Sequence, residues 1–286
     1  VSAFARILVG IDGTDWGFEA LRQALLLSPA ETSVVQAVTA LDTAPAIHAG
    51  MNATHLAEML TQEAADARDA AEKIMGSRPG SARVVRGKPV PVLRRERDEL
   101  NATLVVFGGR RSSRFLGIML GDTGTELLHD AVCSVLLARP TREETWRPRR
   151  IVVGLDSSIH ALAALSTADE LAGRLGGSVE VVSATGGKAI DRDPAWADRV
   201  QSWDPANAAR ALIQRSHAAD LIVVGSRGVH GVRALGSVSE RVAHQAHCTV
   251  LVIHEPTPQH GARSLTGSES RVTAGTSVSP NAAGSA

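Results

Sequence analysis

The chain has 286 residues, 44% of them hydrophobic, with 30 basic and 30 acidic side chains and a formal net charge of zero. That length suits two domains of ordinary size, and the charge balance excludes the clustered basic excess of a nucleic-acid-binding protein. Aromatic residues make up 3%, with no Tyr, so stacking surfaces for single-stranded nucleic acid are scarce.

Apolar runs and helical periodicities alternate along the chain. They predict strand 7–11, helix 15–27, strand 34–40, helix 54–75, strand 82–86, helix 89–100, strand 103–107, helix 123–131 and strand 134–138. A charged, Pro-containing linker, 141–150, follows. The pattern then resumes with strand 151–155, helix 160–175, strand 179–184, a strand at about 199–202, helix 205–217, strand 221–224, helix 238–247 and strand 249–253. Only residues 188–199 bridge the second and third strands of this later set, so its second helix is nearly absent and one sheet face is thinly covered. Residues 255–286 are rich in Ser, Thr, Gly, Ala and Pro and read as a disordered tail.

The second set repeats the first. Residues 7–12 match 151–156 at an offset of 144, 102–108 match 219–225 at 117, and 133–138 match 248–253 at 115. Order is kept while the offset shrinks, which is the mark of a duplication with trimming. Strand–helix alternation predicts an α/β fold of two tandem Rossmann-like domains, 1–140 and 151–254, with parallel strands and right-handed crossovers.

Two cysteines, Cys133 and Cys248, are no disulfide framework. They fall at equivalent places before the last strand of each copy and read as buried structural thiols. Residues 1–6 lack a signal-peptide pattern, and no apolar run approaches membrane-spanning length. A cytoplasmic protein with neither nucleic-acid nor membrane partners is expected.

In open parallel sheets, ligands sit beyond the carboxyl ends of strands where the strand order reverses. With the first and fourth strands central, Asp156 and the stretch from Gly225 through Gly228 to Gly236 and Ser237 face one crevice in the second copy. Glycines there permit positive φ and close backbone approach. Ser237 opens a helix, whose free N–H groups and dipole favour phosphate. Three ligand-free readings compete. Residues 237–240 form a Ser-x-x-Glu capping box, the glycines merely turn the chain, and Asp156 caps the next helix.

Together the runs 151–156, 219–228, 235–240 and 248–252 resemble the universal stress protein family, and the likeness extends over 7–138 and 151–253. The resemblance implies strand order 3-2-1-4-5 in each copy. It also implies ATP, with or without Mg, held through Gly-x2-Gly-x9-Gly-(Ser/Thr). Gly225, Gly228, Gly236 and Ser237 would then line the triphosphate, with Val238 and Ser239 adding contacts. Asp156 would stand near ribose or metal, and Ser183 and Ala184 near adenine. It further implies pairing of the two copies through their last strands as an intrachain pseudo-dimer. The thinly covered sheet face of the second copy leaves room for a homodimer as well.

The departures are specific. The second copy has seven spacer residues between Gly228 and Gly236, not nine. The first copy keeps nine and retains Asp12, Gly108 and Gly121, but places Arg111 at the second glycine and Asp122 after Gly121. At about 4 Å, Asp122 would repel a phosphate charge by roughly 1–4 kcal/mol, up to about a thousandfold in affinity. The first copy therefore reads as a degenerate site. His244 and His247 lie three apart on one helix, but no third ligand pattern joins them, so no metal site is expected. Three functions remain open: a nucleotide-binding stress or signalling protein, a ligand-free interaction scaffold, and a slow ATPase.

Overall fold

Strands that are apolar at successive positions must be covered on both faces, and β1 (Arg6–Ile11) does this within six residues. Ile7, Val9 and Ile11 enter one core layer while Leu8 enters the other. The computed structural model describes residues 3–47, 50–111, 118–119, 122–130, 132–141, 145–156, 158–183, 200–203, 208–226 and 236–254. All of these belong to one compact unit, Val1–Pro256.

The first half contains α1 (Asp15–Leu27), β2 (Val34–Leu41), the short α2 (Ala44–Ile47), α3 (Ala53–Met75), β3 (Gly80–Arg86), α4 (Pro89–Leu100) and β4 (Leu104–Gly108). A small ribbon of β5 (Arg110–Arg111) and β6 (Ile118–Met119) comes next, and α5 (Asp122–His129) and β7 (Ser134–Ala138) complete it. Its main strands lie in the order β3-β2-β1-β4-β7, all parallel. The second half contains β8 (Arg150–Leu155), α6 (Ile159–Leu175), β9 (Ser178–Ser183), β10 (Val200–Trp203), α7 (Ala208–Arg215), β11 (Leu221–Gly225), α8 (Ser237–Gln245) and β12 (Thr249–Ile253). Its order is β10-β9-β8-β11-β12, again parallel. Both halves thus have the expected 3-2-1-4-5 arrangement.

The halves share one ten-stranded sheet. β12 and β7 pair antiparallel, with Val250 opposite Leu137, Leu251 opposite Leu136 and Val252 opposite Val135. Every one of these six side chains is at most 1% exposed. Equivalent hydroxyls close the seam at both ends. Arg139 N–H donates to Thr249 Oγ1 at 3.1 Å, and His254 N–H donates to Ser134 Oγ at 3.1 Å. At one end Gln23 joins in. Its Nε2 donates to the Arg139 carbonyl at 2.9 Å, and its Oε1 accepts from Thr249 Oγ1 at 2.8 Å. Each core layer runs without interruption through both halves.

Local chemistry sets the element ends. Thr14 Oγ1 accepts from Gly17 N–H at 3.3 Å to cap α1, and Ser158 Oγ accepts from Ala161 N–H at 3.2 Å to cap α6. α6 stops at Gly176, whose φ of 71° is open to glycine without a Cβ clash.

Three sequence expectations need comment. The linker is anchored: Trp146 is 8% exposed, and its Nε1–H donates to the Asp220 carbonyl at 3.3 Å. The spacer after β4 was not expected to hold strands, yet Arg110 pairs with Met119 and Arg111 with Ile118. Residues 188–199, read as a shortened crossover, and the tail 255–286 lie outside the described residues. Among those described, no helix is long and apolar enough to cross a membrane.

Two tests follow from this packing. Thr249→Val leaves the Arg139 amide and Gln23 Oε1 without their partner, so it is expected to cost about 1–3 kcal/mol per buried group left unpaired. Adding Gln23→Leu should recover part of that loss. Urea titrations of the single and double variants measure it, and strictly additive losses would mean that the three groups act separately. Cys133 and Cys248 are buried and unbridged, and burial pushes their thiols up to about 11 and about 12. Both are expected to resist iodoacetamide at neutral pH until denaturant is added, as intact-mass spectra would report.

Candidate functional site

The central strands of the second half, β8 and β11, end side by side. Their register runs from Leu221 opposite Ile151 to Val224 opposite Gly154. The chain leaves β8 through Asp156, whose Oδ1 accepts the Ser158 N–H at 3.1 Å. Ser158 then caps α6. So the capping role that was one competing reading of Asp156 belongs to Ser158, and Asp156 fixes the turn that presents it. The first half repeats the device. Asp12 Oδ1 accepts from Thr14 N–H at 3.1 Å and from Thr14 Oγ1 at 2.5 Å, and Thr14 caps α1.

β11 ends at Gly225, where a Cβ would stand 2.5 Å from the His160 carbonyl carbon and 2.7 Å from the Ala161 nitrogen. Gly108 is its counterpart, with the Trp16 carbonyl oxygen 2.4 Å from any Cβ. Close approach of the helix backbone therefore explains both glycines. Neither is among the positive-φ residues, so of the two reasons for a glycine at Gly225, close approach and not positive φ applies.

A cavity of about 130 Å³ opens beyond these strand ends. Val182, Ala208, Leu212 and Val224 form apolar walls. Asp156, Ser158, Gly225 and the first turn of α8, Gly236 to Ser239, form the polar side. Gly236 is the N-cap of α8 and makes no side-chain cap. Ser237 is the first helical residue, so the capping-box reading of Ser237 does not hold. Among the described residues no side chain caps the first N–H groups of α8, the kind of groups that bind anions at helix starts. Ser239 is buried, and its Oγ donates to the Gly225 carbonyl at 2.6 Å, tying the start of the helix to the end of β11.

Six of the residues singled out from the sequence thus meet at one cavity: Asp156, Gly225, Gly236, Ser237, Val238 and Ser239. Ser183 is fully buried on β9, opposite Leu155, and its Oγ has no hydrogen-bond partner among the described residues. Ala184, Gly228 and the first half's Gly121 lie outside the described residues. The walls from α7 were not singled out. Their signal was the helical spacing of Ala208 and Leu212, which reads equally well as plain core.

In the first half, α5 does begin at Asp122, which puts a carboxylate residue at the helix start. Arg111 lies in the β5–β6 ribbon, opposite Ile118. A larger recess of about 590 Å³ opens at the seam. Its bordering guanidinium groups are already engaged: Arg6 Nε donates to the Asn101 carbonyl at 2.7 Å and Arg97 Nη1 to the Asp130 carbonyl at 3.1 Å.

The fold is a pair of Rossmann-like halves sharing one sheet, with a helix N-terminus aimed at a strand-end cavity in the second. The profile of the universal stress protein family matches residues 3–139 and 197–254. These stretches make up more than half of the chain, and the chain belongs to that family. Between them, β8, α6 and β9 repeat β1, α1 and β2 in order and orientation. Universal stress protein Rv2623 of Mycobacterium tuberculosis is 30% identical over 188 residues, which cover 54% of this chain and 62% of the relative. Universal stress protein Rv2005c of the same organism is 28% identical over 197 residues, covering 58% and 66%. The chain thus spans less than two thirds of the length of these curated relatives. Among solved structures, a universal stress protein from Archaeoglobus fulgidus superposes with a TM-score of 0.66 at 20% identity, covering 87% of this chain and 98% of the other. Protein PA1789 from Pseudomonas aeruginosa, of unknown function, reaches 0.64 at 16% identity, covering 89% and 94%.

The glycine geometry can be tested directly. Gly225→Ala is expected to destabilise by about 1–3 kcal/mol, because neither the sheet nor the α6 backbone can yield cheaply. Gly173→Ala, within α6 and with nothing within 4 Å of a Cβ, is expected to stabilise by about 0.5–1 kcal/mol. Thermal unfolding of the two variants gives opposite shifts if close approach is what selects the first glycine.

Proposed function

We propose that the second half binds a nucleotide, ATP with or without Mg, and that the protein acts in the cytoplasm in stress response or signalling, with the first half as scaffold. The observation that carries this reading is the first turn of α8, with no side-chain cap from Gly236, opening on a cavity that Val182, Leu212 and Val224 wall on its apolar side. Phosphate oxygens would accept from the N–H groups of Ser237, Val238 and Ser239, where the dipole adds to the attraction. The apolar pocket between Val182, Leu212 and Val224 suits one face of a base. Ser183, the neighbour of Val182 on β9, does not line this cavity, so the adenine contact expected of it is not part of this reading. Asp156 stands at the rim, where a ribose hydroxyl or a water-bound magnesium ion would lie. In the first half the equivalent helix begins with Asp122, and Arg111 replaces the second glycine and pairs with Ile118, which favours one site per chain. The family membership of the chain supports the stress-response assignment.

Calorimetric titration with Mg-ATP tests this on the parent chain and on Ser237→Asp and Gly228→Asp. One site per chain is expected. Ser237→Asp should weaken it tenfold to a thousandfold, on the order of 1–4 kcal/mol of like-charge repulsion. Neither heat nor nucleotide released on denaturation would sink the reading and leave a ligand-free interaction protein. Bound ATP recovered intact after prolonged incubation separates binding from hydrolysis.

A further inference from the structure

We propose that His129, Glu240 and His244 bind a divalent transition-metal ion of the zinc class at the seam between the two halves. Each residue offers one ligand atom, and the three atoms all lie within 4.8 Å of one another. Among the described residues they are the one such group of three. His129 ends α5 in the first half, while Glu240 and His244 lie on one face of α8 in the second, one helical turn apart. Symmetry brings them together. His129 and His244 are separated by 115 positions, the offset that also relates Cys133 to Cys248. They are the same position on equivalent helices, and antiparallel pairing of β7 with β12 turns those helices toward each other across a pseudo-twofold axis.

The dimensions suit the ion. Zinc held tetrahedrally by bonds of about 2.0–2.1 Å places its ligand atoms about 3.3 Å apart. His129 Nε2 stands 3.4 Å from Glu240 Oε1. The remaining separations close by side-chain rotation, since all three residues are only half-buried. Two histidines and one glutamate are a ligand set that zinc accepts with its fourth position open to water. Arg139, which donates to the neighbouring Ala243 carbonyl, opposes a cation here, and the Glu240 carboxylate offsets it. A plain His129–Glu240 ion pair would need no third group, and the convergence of His244 is what points to a metal.

The test uses Zn²⁺ alone, titrated into the tag-free, metal-stripped full chain against a chromogenic chelator. Co²⁺ reports the geometry by visible absorption. One zinc per chain is expected. Affinity should fall at least about tenfold in each of His129→Gln, Glu240→Gln and His244→Gln, and should be unchanged in His247→Gln. Zinc should raise the melting temperature of the parent and not of His244→Gln, while the metal-free melting temperatures confirm that each variant folds. No zinc taken from the chelator would overturn the proposal. So would binding that survives His244→Gln but is lost in His247→Gln, because the stacked His217–His247 pair would then be the ligand.

Discussion

The antiparallel contact between β7 and β12 is the constraint on which the rest of the structure hangs. Both strands are apolar on both faces, and left as sheet edges they would expose rows of unpaired backbone groups. Pairing them removes two edges at once and joins two five-stranded sheets into one. The hydroxyls of Thr249 and Ser134 satisfy the backbone amides just past each strand end. The seam also decides which helices meet. α5 and α8 share one core layer, and for that reason side chains far apart in sequence converge beside it.

Duplication makes the two halves internal controls for each other. Asp12 with Thr14, and Asp156 with Ser158, build the same capped turn. Gly108 and Gly225 admit the same close helix approach. Features present in both halves therefore belong first to folding, and their presence in one half says little about ligands. The differences carry the functional weight. The helix after the fourth strand starts with Asp122 in one half and has Gly236 as its N-cap and Ser237 as its first residue in the other.

Most of the fold was legible because its signals are local and repeated. Short apolar runs marked each strand of the large sheet within about two residues, three of them in each half at matched offsets, while β5 and β6 left no such run, and the strand order followed from the family resemblance. The candidate site was legible in part. Positions flanking strand ends, such as Asp156, Gly225 and Ser237, follow from chain order. The walls from Val182 and Leu212 depend on which faces pack together, and periodicity cannot tell a cavity wall from a core residue. Trp146 looked like part of a polar linker, because a single aromatic among charged residues leaves no periodic trace. The Gln23–Arg139–Thr249 network and the His129–Glu240–His244 group are products of tertiary closure across more than a hundred residues. No window of the sequence contains them.

The seam also imposes an order of events on synthesis. β7 leaves the ribosome roughly 110 residues before β12 begins, a gap of roughly 5–20 s at common elongation rates. Throughout that interval the first half has every strand it will contribute, yet its last strand has an open, apolar edge with no partner in the nascent chain. Such an edge is a template for pairing with another copy emerging nearby. A second nascent β7 is the most similar strand on offer, and whatever delays β12 lengthens the time in which that wrong pairing competes with the right one.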